Sequence, residues 1–318
     1  MITATDEGLH PAGSAAHWQE SYYFNWSSPD SSEFGFTRIG LNFEARTADA
    51  LVVHLSDGQP ELVYASVGTP FAPDQLTRPV TEGLTVGGLS YTMDEALGSW
   101  RLQLDGAHTL DLQWTSVTPV IDFHDSFPGD TDRSQEHFEQ VGRVIGHLVI
   151  DGTRHEIDAL GERDKSWGVR DWNGLIGWDW IAGQFGEDLA FNATRTDVGG
   201  ELMSTGFVWA DGEVHTITDV QIDYSWVRRD QPEAAHIIVT VDSGRRWTID
   251  ATARGRIPLL KSGLWIEETQ SRFTMTHDGT LREGVGIMEH AYHVSPLATV
   301  RGLPRLLPVM FKAKGMSR

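Results

Sequence analysis

The chain has 318 residues, 40% apolar and 22% charged, which leaves enough apolar surface to offset the conformational entropy lost on folding. Its 45 Asp and Glu against 25 Lys and Arg give a formal charge of -20, which repels phosphate backbones and anionic headgroups and argues against nucleic-acid partners. Disulfides and thiolate metal ligands are excluded by the absence of cysteine, and the length exceeds one ordinary core, so two domains of about 150 residues each are expected.

Met1 to Trp18 carries no Lys or Arg and no apolar run, so neither a signal peptide nor a membrane anchor is read there and a cytoplasmic protein is expected. Asp-Gly pairs then recur at Asp57-Gly58, Asp105-Gly106, Asp151-Gly152, Asp211-Gly212 and Asp278-Gly279, each between alternating apolar and polar runs, the strongest short hairpin signal. Alternation predicts strands at Leu51–Leu55, Leu62–Val67, Ser99–Leu104, Thr109–Val120 and Val141–Ile150. It continues at Trp178–Phe185, Leu202–Trp209, Val220–Trp226, His236–Val241, Arg246–Thr252, Ser271–Thr276 and Val285–His293. No stretch sustains a helical period over three turns, so little helix is expected. So many short strands predict an all-β chain, and closure into two barrels removes exposed edges.

Loops are expected at Asp122–Ser134 and at Asp171-Trp172-Asn173-Gly174; the second sets a boundary between an N-terminal barrel, 1–173, and a C-terminal barrel, 174–318. The tail from Val294 carries Arg301, Arg305, Lys312, Lys314 and Arg318 with no acidic residue, and is expected to pack back on the acidic barrels rather than bind a membrane. The 12 tryptophans fit either aromatic-lined ligand pockets or two filled cores.

Three stretches carry chemistry. Gly161 to Trp172 crowds Arg163, Asp164, Lys165, Arg170 and Asp171 among two indoles and is read as a loop after a strand. There Asp164 or Asp171 is either a base held ionised by an arginine, an acid kept protonated by desolvation, or part of an architectural Arg–Asp network at the interdomain corner. On Val285–His293, alternation puts Glu289 on the face of Val285, Ile287 and Ala291, a carboxylate whose pKa desolvation raises unless that strand faces solvent. On His137–Gly146, Phe138, Gln140, Val144, Leu148 and Ile150 share one face with Gln140 the lone polar group inside, while His137, Glu139 and Arg143 share the other. Metal chemistry is not expected: HExxH is absent, His290 and His293 face opposite ways, and His137-x-Glu139 shows no third ligand. Phosphate loops followed by helices and a GxSxG elbow are also missing.

Glu139-Gln140, the glycine-bearing hairpin after it, Gly161-x-Arg163-Asp164-x-Ser166-Trp167-Gly168-x-Arg170-Asp171-Trp172 and Gly286-x-x-Glu289 resemble a two-domain family related to the carotenoid 1,2-hydratase (hydroxyneurosporene synthase) superfamily. The resemblance covers about Glu20 to His293, and Arg-Asp-x-Ser-Trp-Gly is its specific part. It implies two packed lipocalin-like (calycin) barrels around a hydrophobic cavity; some relatives hydrate carotenoid double bonds, and similar fungal proteins act as Diels-Alderases or cyclases. At Lys165 the motif departs from the commoner histidine, which puts an imidazole acid–base role there in doubt. Carried over position by position, the resemblance implies Asp164, Asp171 and Glu289 as catalytic groups and Gln140, Arg163, Trp167 and Trp172 as cavity residues. Trp178 and Trp180 join them from strand alternation alone.

The expectation is a cofactor-independent lyase or isomerase, meaning a hydratase, dehydratase or cyclase of a terpenoid, polyene or polyketide-like molecule, started by a protonated carboxylic acid. A non-catalytic lipophile carrier and a fully packed interaction module are the alternatives. The partner is a hydrophobic small molecule, with no cofactor, no metal and no stable membrane insertion, in a monomer or homodimer.

Overall fold

Residues 1–12, 16–71, 78–123, 135–169, 175–228, 231–261 and 263–316 are described by the computed structural model. Strands β1 (Trp18–Ser27), β2 (Glu33–Asn42), β3 (Thr47–Ser56) and β4 (Gln59–Pro70) form one antiparallel meander. A second follows through β5 (Leu84–Val86), β6 (Leu89–Glu95), β7 (Ser99–Leu104), β8 (Thr109–Ser116), β10 (Gln135–Ile150) and β11 (Thr153–Val169), with β9 (Ile121–Asp122) beside β10. Pairing of β1 with β11 joins the two meanders into an 11-stranded sheet that curls nearly shut. The closed C-terminal barrel is an uninterrupted meander: β12 (Leu175–Gln184), β13 (Ala190–Val198), β14 (Glu201–Ala210), β15 (Glu213–Arg228), β16 (Gln231–Val241), β17 (Arg246–Lys261), β18 (Leu264–His277) and β19 (Thr280–His293), with β19 back on β12. The two-barrel, all-β expectation is the architecture found. The boundary expected at 173/174 lies outside the described residues.

Four of the Asp-Gly pairs turn as the pattern demands: both residues have positive φ at Asp57-Gly58, Asp151-Gly152, Asp211-Gly212 and Asp278-Gly279, the type I′ geometry that matches strand twist. At Asp105-Gly106 only the glycine has positive φ, and β7 and β8 are joined by a longer loop.

Two expectations need correction. Gly161 to Val169 is the end of β11, not a loop, and the alternation of this strand sorts its charges between two environments. Arg163, Lys165 and Trp167 point into the N-terminal barrel, while Glu162 and Asp164 point at the other barrel. High charge density looked like a loop because the partners of the inward charges, Glu7 and Glu20, lie far upstream. The basic tail, in turn, is a 21-residue helix, α1 (Pro296–Met316), despite Pro304 and Pro308 inside it. Tertiary anchors outweigh the prolines: Arg305 bonds Glu267, Lys312 reaches the Pro60 carbonyl, and Leu306 is buried. Val309 and Ala313 pack on the apolar seam between the barrels. The tail does fold back on the body, and no helix among the described residues is long and apolar enough to cross a membrane.

The tryptophan question resolves residue by residue. Trp26, Trp100 and Trp114 fill the N-terminal core and Trp247 the C-terminal one. Between the barrels lies a third cluster, in which Phe34, Phe36, Val53 and Leu55 from β2 and β3 meet Trp180, Ala182, Ile257 and Ile287. A fourth sets Ile121, Phe123 and Val141 against Ala190 and Phe207. The seam between barrels is therefore as dry as their cores, and charges placed there are desolvated.

Candidate active site between the barrels

Antiparallel register decides which side chains meet at the seam. Arg38, Tyr23, Asp164 and Glu139 stand directly opposite one another on β2, β1, β11 and β10, because Tyr23 pairs with both Arg38 and Asp164, and Asp164 pairs with Glu139. Partners in register lie about 5 Å apart on the same face of a sheet, so these four form one crosswise row. The C-terminal barrel answers with a second row across β18, β19, β12 and β13: Glu268, Glu289, Trp180 and Thr194.

The rows touch through tryptophan and asparagine. Trp180 Nε1 donates to Glu139 Oε1 at 2.9 Å, and Asn192 Nδ2 donates to Glu139 Oε2 at 2.6 Å and to Glu162 Oε1 at 3.1 Å. Thr194 orients that amide by donating to Asn192 Oδ1 at 2.8 Å. Asn25 Oδ1 accepts the Glu162 backbone N–H at 2.8 Å, which locks the strand end. Trp178 Nε1 donates to Glu289, and Glu289 shares a hydrogen bond with Glu268. The Tyr23 ring meets Trp180 edge-on at 5.7 Å and stacks on Phe36 at 5.8 Å.

Two carboxyl pairs result, one on each side of the seam. Burial and the adjacent Glu139 push Glu162 well above the usual carboxylate range. Burial and the adjacent Glu289 do the same for Glu268, and burial also raises Glu289. Like charges this close in a dry site cannot all ionise, so each pair retains a proton near neutral pH. Burial also keeps the Tyr23 phenol protonated, reinforced by Glu268 and Glu289. His137 bridges inside and outside: its Nε2 lies 3.0 Å from both Glu139 Oε1 and Asp164 Oδ2. Burial acts to lower its pKa, but Asp164 and Glu139 outweigh it and raise it from 6.5 to about 10. The imidazolium is a cation held between two anions. The His137 and Asp164 side chains are 25% and 23% exposed while that of Glu139 is fully buried, so the row opens to solvent at this edge.

Asp164, Glu289, Trp178 and Trp180 of the residues expected from the sequence meet here. Gln140, Arg163 and Trp167 instead face the N-terminal core. Arg163 donates to Glu7 at 2.8 and 2.7 Å and to Gln140 Oε1 at 3.0 Å, and lies 5.1 Å from the Trp114 ring and 5.0 Å from that of Phe138. The Gln140 amide donates to the Leu97 and Thr118 carbonyls at 3.1 Å, which satisfies the buried polar group anticipated on that face. Trp167 stacks on His10 with ring centres 4.3 Å apart. Lys165 donates to Glu20 at 2.6 Å and sits over the Tyr22 ring, on the side of β11 away from the seam. Asp171 and Trp172 lie outside the described residues. Sequence reading did not single out Glu162, Asn192, Glu268, Tyr23 or Arg38, which only strand register brings in. It noted His137-x-Glu139 without a third metal-type donor; Asp164 supplies one, all three donor atoms lying within 4.8 Å of each other.

Over residues 3–294 the sequence matches the family described as Domain of unknown function (DUF7064), and the chain belongs to it. No curated protein matches the chain. Among solved structures, CghA with Sch210972 superposes with a TM-score of 0.67 at 13% identity, covering 88% of this chain and 89% of that one. Kievitone hydratase from Nectria haematococca gives a TM-score of 0.64 at 12% identity, covering 92% of this chain and 93% of that one. A protein assigned as AttH from Nitrosomonas europaea gives 0.63 at 16% identity, covering 92% and 97%. These likenesses establish a shared two-barrel fold, the one implied by the resemblance to carotenoid-hydratase relatives.

Proposed function

We propose, for this member of the DUF7064 family, a cofactor-independent acid–base enzyme of the lyase or isomerase class, a hydratase, dehydratase or cyclase, acting on a hydrophobic terpenoid, polyene or polyketide-like molecule at the seam between the barrels. The observation that carries this reading is the pair of carboxyl pairs, Glu139–Glu162 and Glu268–Glu289, each held in apolar surroundings that keep one proton bound near neutrality. Glu289 delivers to an alkene or carbonyl the proton that its pair with Glu268 retains, Glu268 passing it on through the hydrogen bond they share. Asp164, at the solvent edge, takes the proton back, with His137 linking it to Glu139. The faces of Trp178, Trp180 and Tyr23 stabilise the carbocation that protonation of an alkene creates. Water admitted at the His137–Asp164 edge completes a hydration; its exclusion leaves elimination or cyclisation. Two fold neighbours, kievitone hydratase and CghA with Sch210972, support this class of chemistry.

Incubation of the purified protein with a panel of terpenoid alcohols, polyenes and polyketide-like lactones, read by mass spectrometry, tests the reading. Glu289→Gln should lower turnover about a hundredfold or more, the usual contribution of a general acid. Retention of wild-type turnover by Glu289→Gln, Asp164→Asn and Glu162→Gln alike sinks the mechanism. Recovery of every bound lipophile unchanged points to a carrier instead.

A further inference from the structure

At the end of the N-terminal barrel remote from Lys165, three strands bring Glu33, His54 and His155 together inside the sheet. Glu33 opens β2, His54 stands two residues from the end of β3, and His155 lies near the start of β11. His54 Nε2 is 2.7 Å from Glu33 Oε2 and His155 Nδ1 is 3.5 Å from Glu33 Oε1. The imidazole rings meet edge to face, 5.3 Å apart at 71°. One donor atom from each residue falls within 4.8 Å of the other two.

The satisfaction of these atoms is anomalous. His54 is fully buried, 0% exposed, yet neither ring nitrogen makes a hydrogen bond, and Glu33 Oε2 makes none either despite its closeness to Nε2. A buried imidazole costs free energy unless both nitrogens find partners, and such orphans are rare in folded proteins. His155 Nδ1 keeps only a long contact to Glu33 Oε1, at 3.5 Å, so three metal-type ligand atoms gather in one place with the buried His54 nitrogens unsatisfied. Elsewhere in the same barrel the buried Arg163 is paired with Glu7 and the buried Lys165 with Glu20.

We infer that Glu33, His54 and His155 form a binding site for a single Zn2+ or a similar borderline divalent cation. Two imidazoles and one carboxylate suit such ions, whereas Ca2+ and Mg2+ take oxygen ligands. Tetrahedral Zn2+, with bonds of about 2.0–2.1 Å, places its ligand atoms roughly 3.3 Å apart, close to the 3.5 Å between His155 and Glu33, while the 2.7 Å between His54 and Glu33 opens by about 0.6 Å when the ion enters. Access is built in. Glu33 also lines a surface cleft of about 590 Å3 whose walls carry Asp30, Glu156 and Asp158 against His147 and Arg154, a net negative approach for a cation. The His155 side chain is 15% exposed and that of Glu33 17%, so the ion enters past them to the buried His54. Bound there, it ties β2 and β3 to β11.

The test uses the full-length protein, stripped with a chelator and then titrated with Co2+, read by its visible ligand-field absorption, and with Zn2+ by calorimetry. One saturable equivalent is expected. His155→Asn, which leaves the buried His54 in place, and His54→Gln should each weaken binding by at least roughly a hundredfold, beyond what loss of an outer-shell partner causes. His137→Gln and His277→Gln, in the two other His–carboxylate clusters, should leave it unchanged. The inference is overturned by absence of saturable Co2+ and Zn2+ uptake, by wild-type affinity in a folded His155→Asn variant, or by binding that follows His137 or His277 instead.

Discussion

Replacing Arg163 by methionine separates an architectural role from a ligand-binding one. The guanidinium is 1% exposed, and its partner Glu7 is fully buried. Glu7 also accepts the Leu97 backbone N–H at 2.7 Å, so it ties the N-terminal segment to the barrel. Arg163→Met fills much of the volume among Trp100, Trp114 and Phe138 but leaves the Glu7 carboxylate buried without its cation. Breaking one side of such a pair costs roughly 3–5 kcal/mol, a large share of the about 5–15 kcal/mol that holds a typical domain together. With a urea dependence of about 1–3 kcal/mol per molar, the unfolding midpoint should fall by roughly 1–5 M. Glu7→Gln combined with Arg163→Met should be less damaging than the sum of the two, with a coupling energy of roughly 1–3 kcal/mol. A midpoint shift under about 0.5 M, or strict additivity, refutes the placement of Arg163 as a core ion pair and returns it to the candidate substrate-binding residues.

Lys165→Met should likewise destabilise the fold by stranding Glu20, yet leave turnover per folded molecule unchanged, because Lys165 faces away from the seam; steady-state kinetics beside a urea melt checks both halves. Stability should fall as pH rises from mildly acidic to alkaline. The folded chain binds protons at Glu162 and Glu268 that the unfolded chain has released, and His137 adds stability that is full below 6.5 and lost as pH rises through about 10. Each group contributes a slope of at most about 1.4 kcal/mol per pH unit, and Glu162→Gln should flatten the curve; an unchanged slope in that variant contradicts the protonated pair. Arg305→Ala removes the cation beside the buried Glu267 and loosens α1 from the seam, with an expected loss of roughly 1–3 kcal/mol in a denaturant melt and increased binding of an apolar dye.

Local pattern made the hairpins legible, since Asp-Gly at Asp57, Asp151, Asp211 and Asp278 needs no tertiary context to turn. It also put Glu289 on an apolar face and Trp178 and Trp180 together, because alternation along a single strand is visible in the chain. The rest of the site is lateral. Tyr23 and Asp164 are neighbours only because β1 closes on β11, a pairing across more than a hundred residues that no local period encodes. The same holds for Asn192, which reaches Glu139 and Glu162 from the other barrel. Arg163 and Lys165 read as loop residues for a related reason: a buried charge is recognisable only with its partner, and Glu7 and Glu20 lie 156 and 145 residues upstream. Helix α1 was hidden by prolines whose cost is met by contacts with β4 and with Glu267 on β18.

The central claim is that the seam holds protonated carboxyl groups near neutral pH, and infrared difference spectroscopy across a pH titration tests it most directly. The account predicts a carboxylic-acid carbonyl band that persists at neutral pH in the wild-type protein and loses intensity in Glu162→Gln and again in Glu268→Gln. A spectrum in which every carboxyl has already ionised on the acid side of neutrality would contradict it and remove the proton donor from the proposed chemistry.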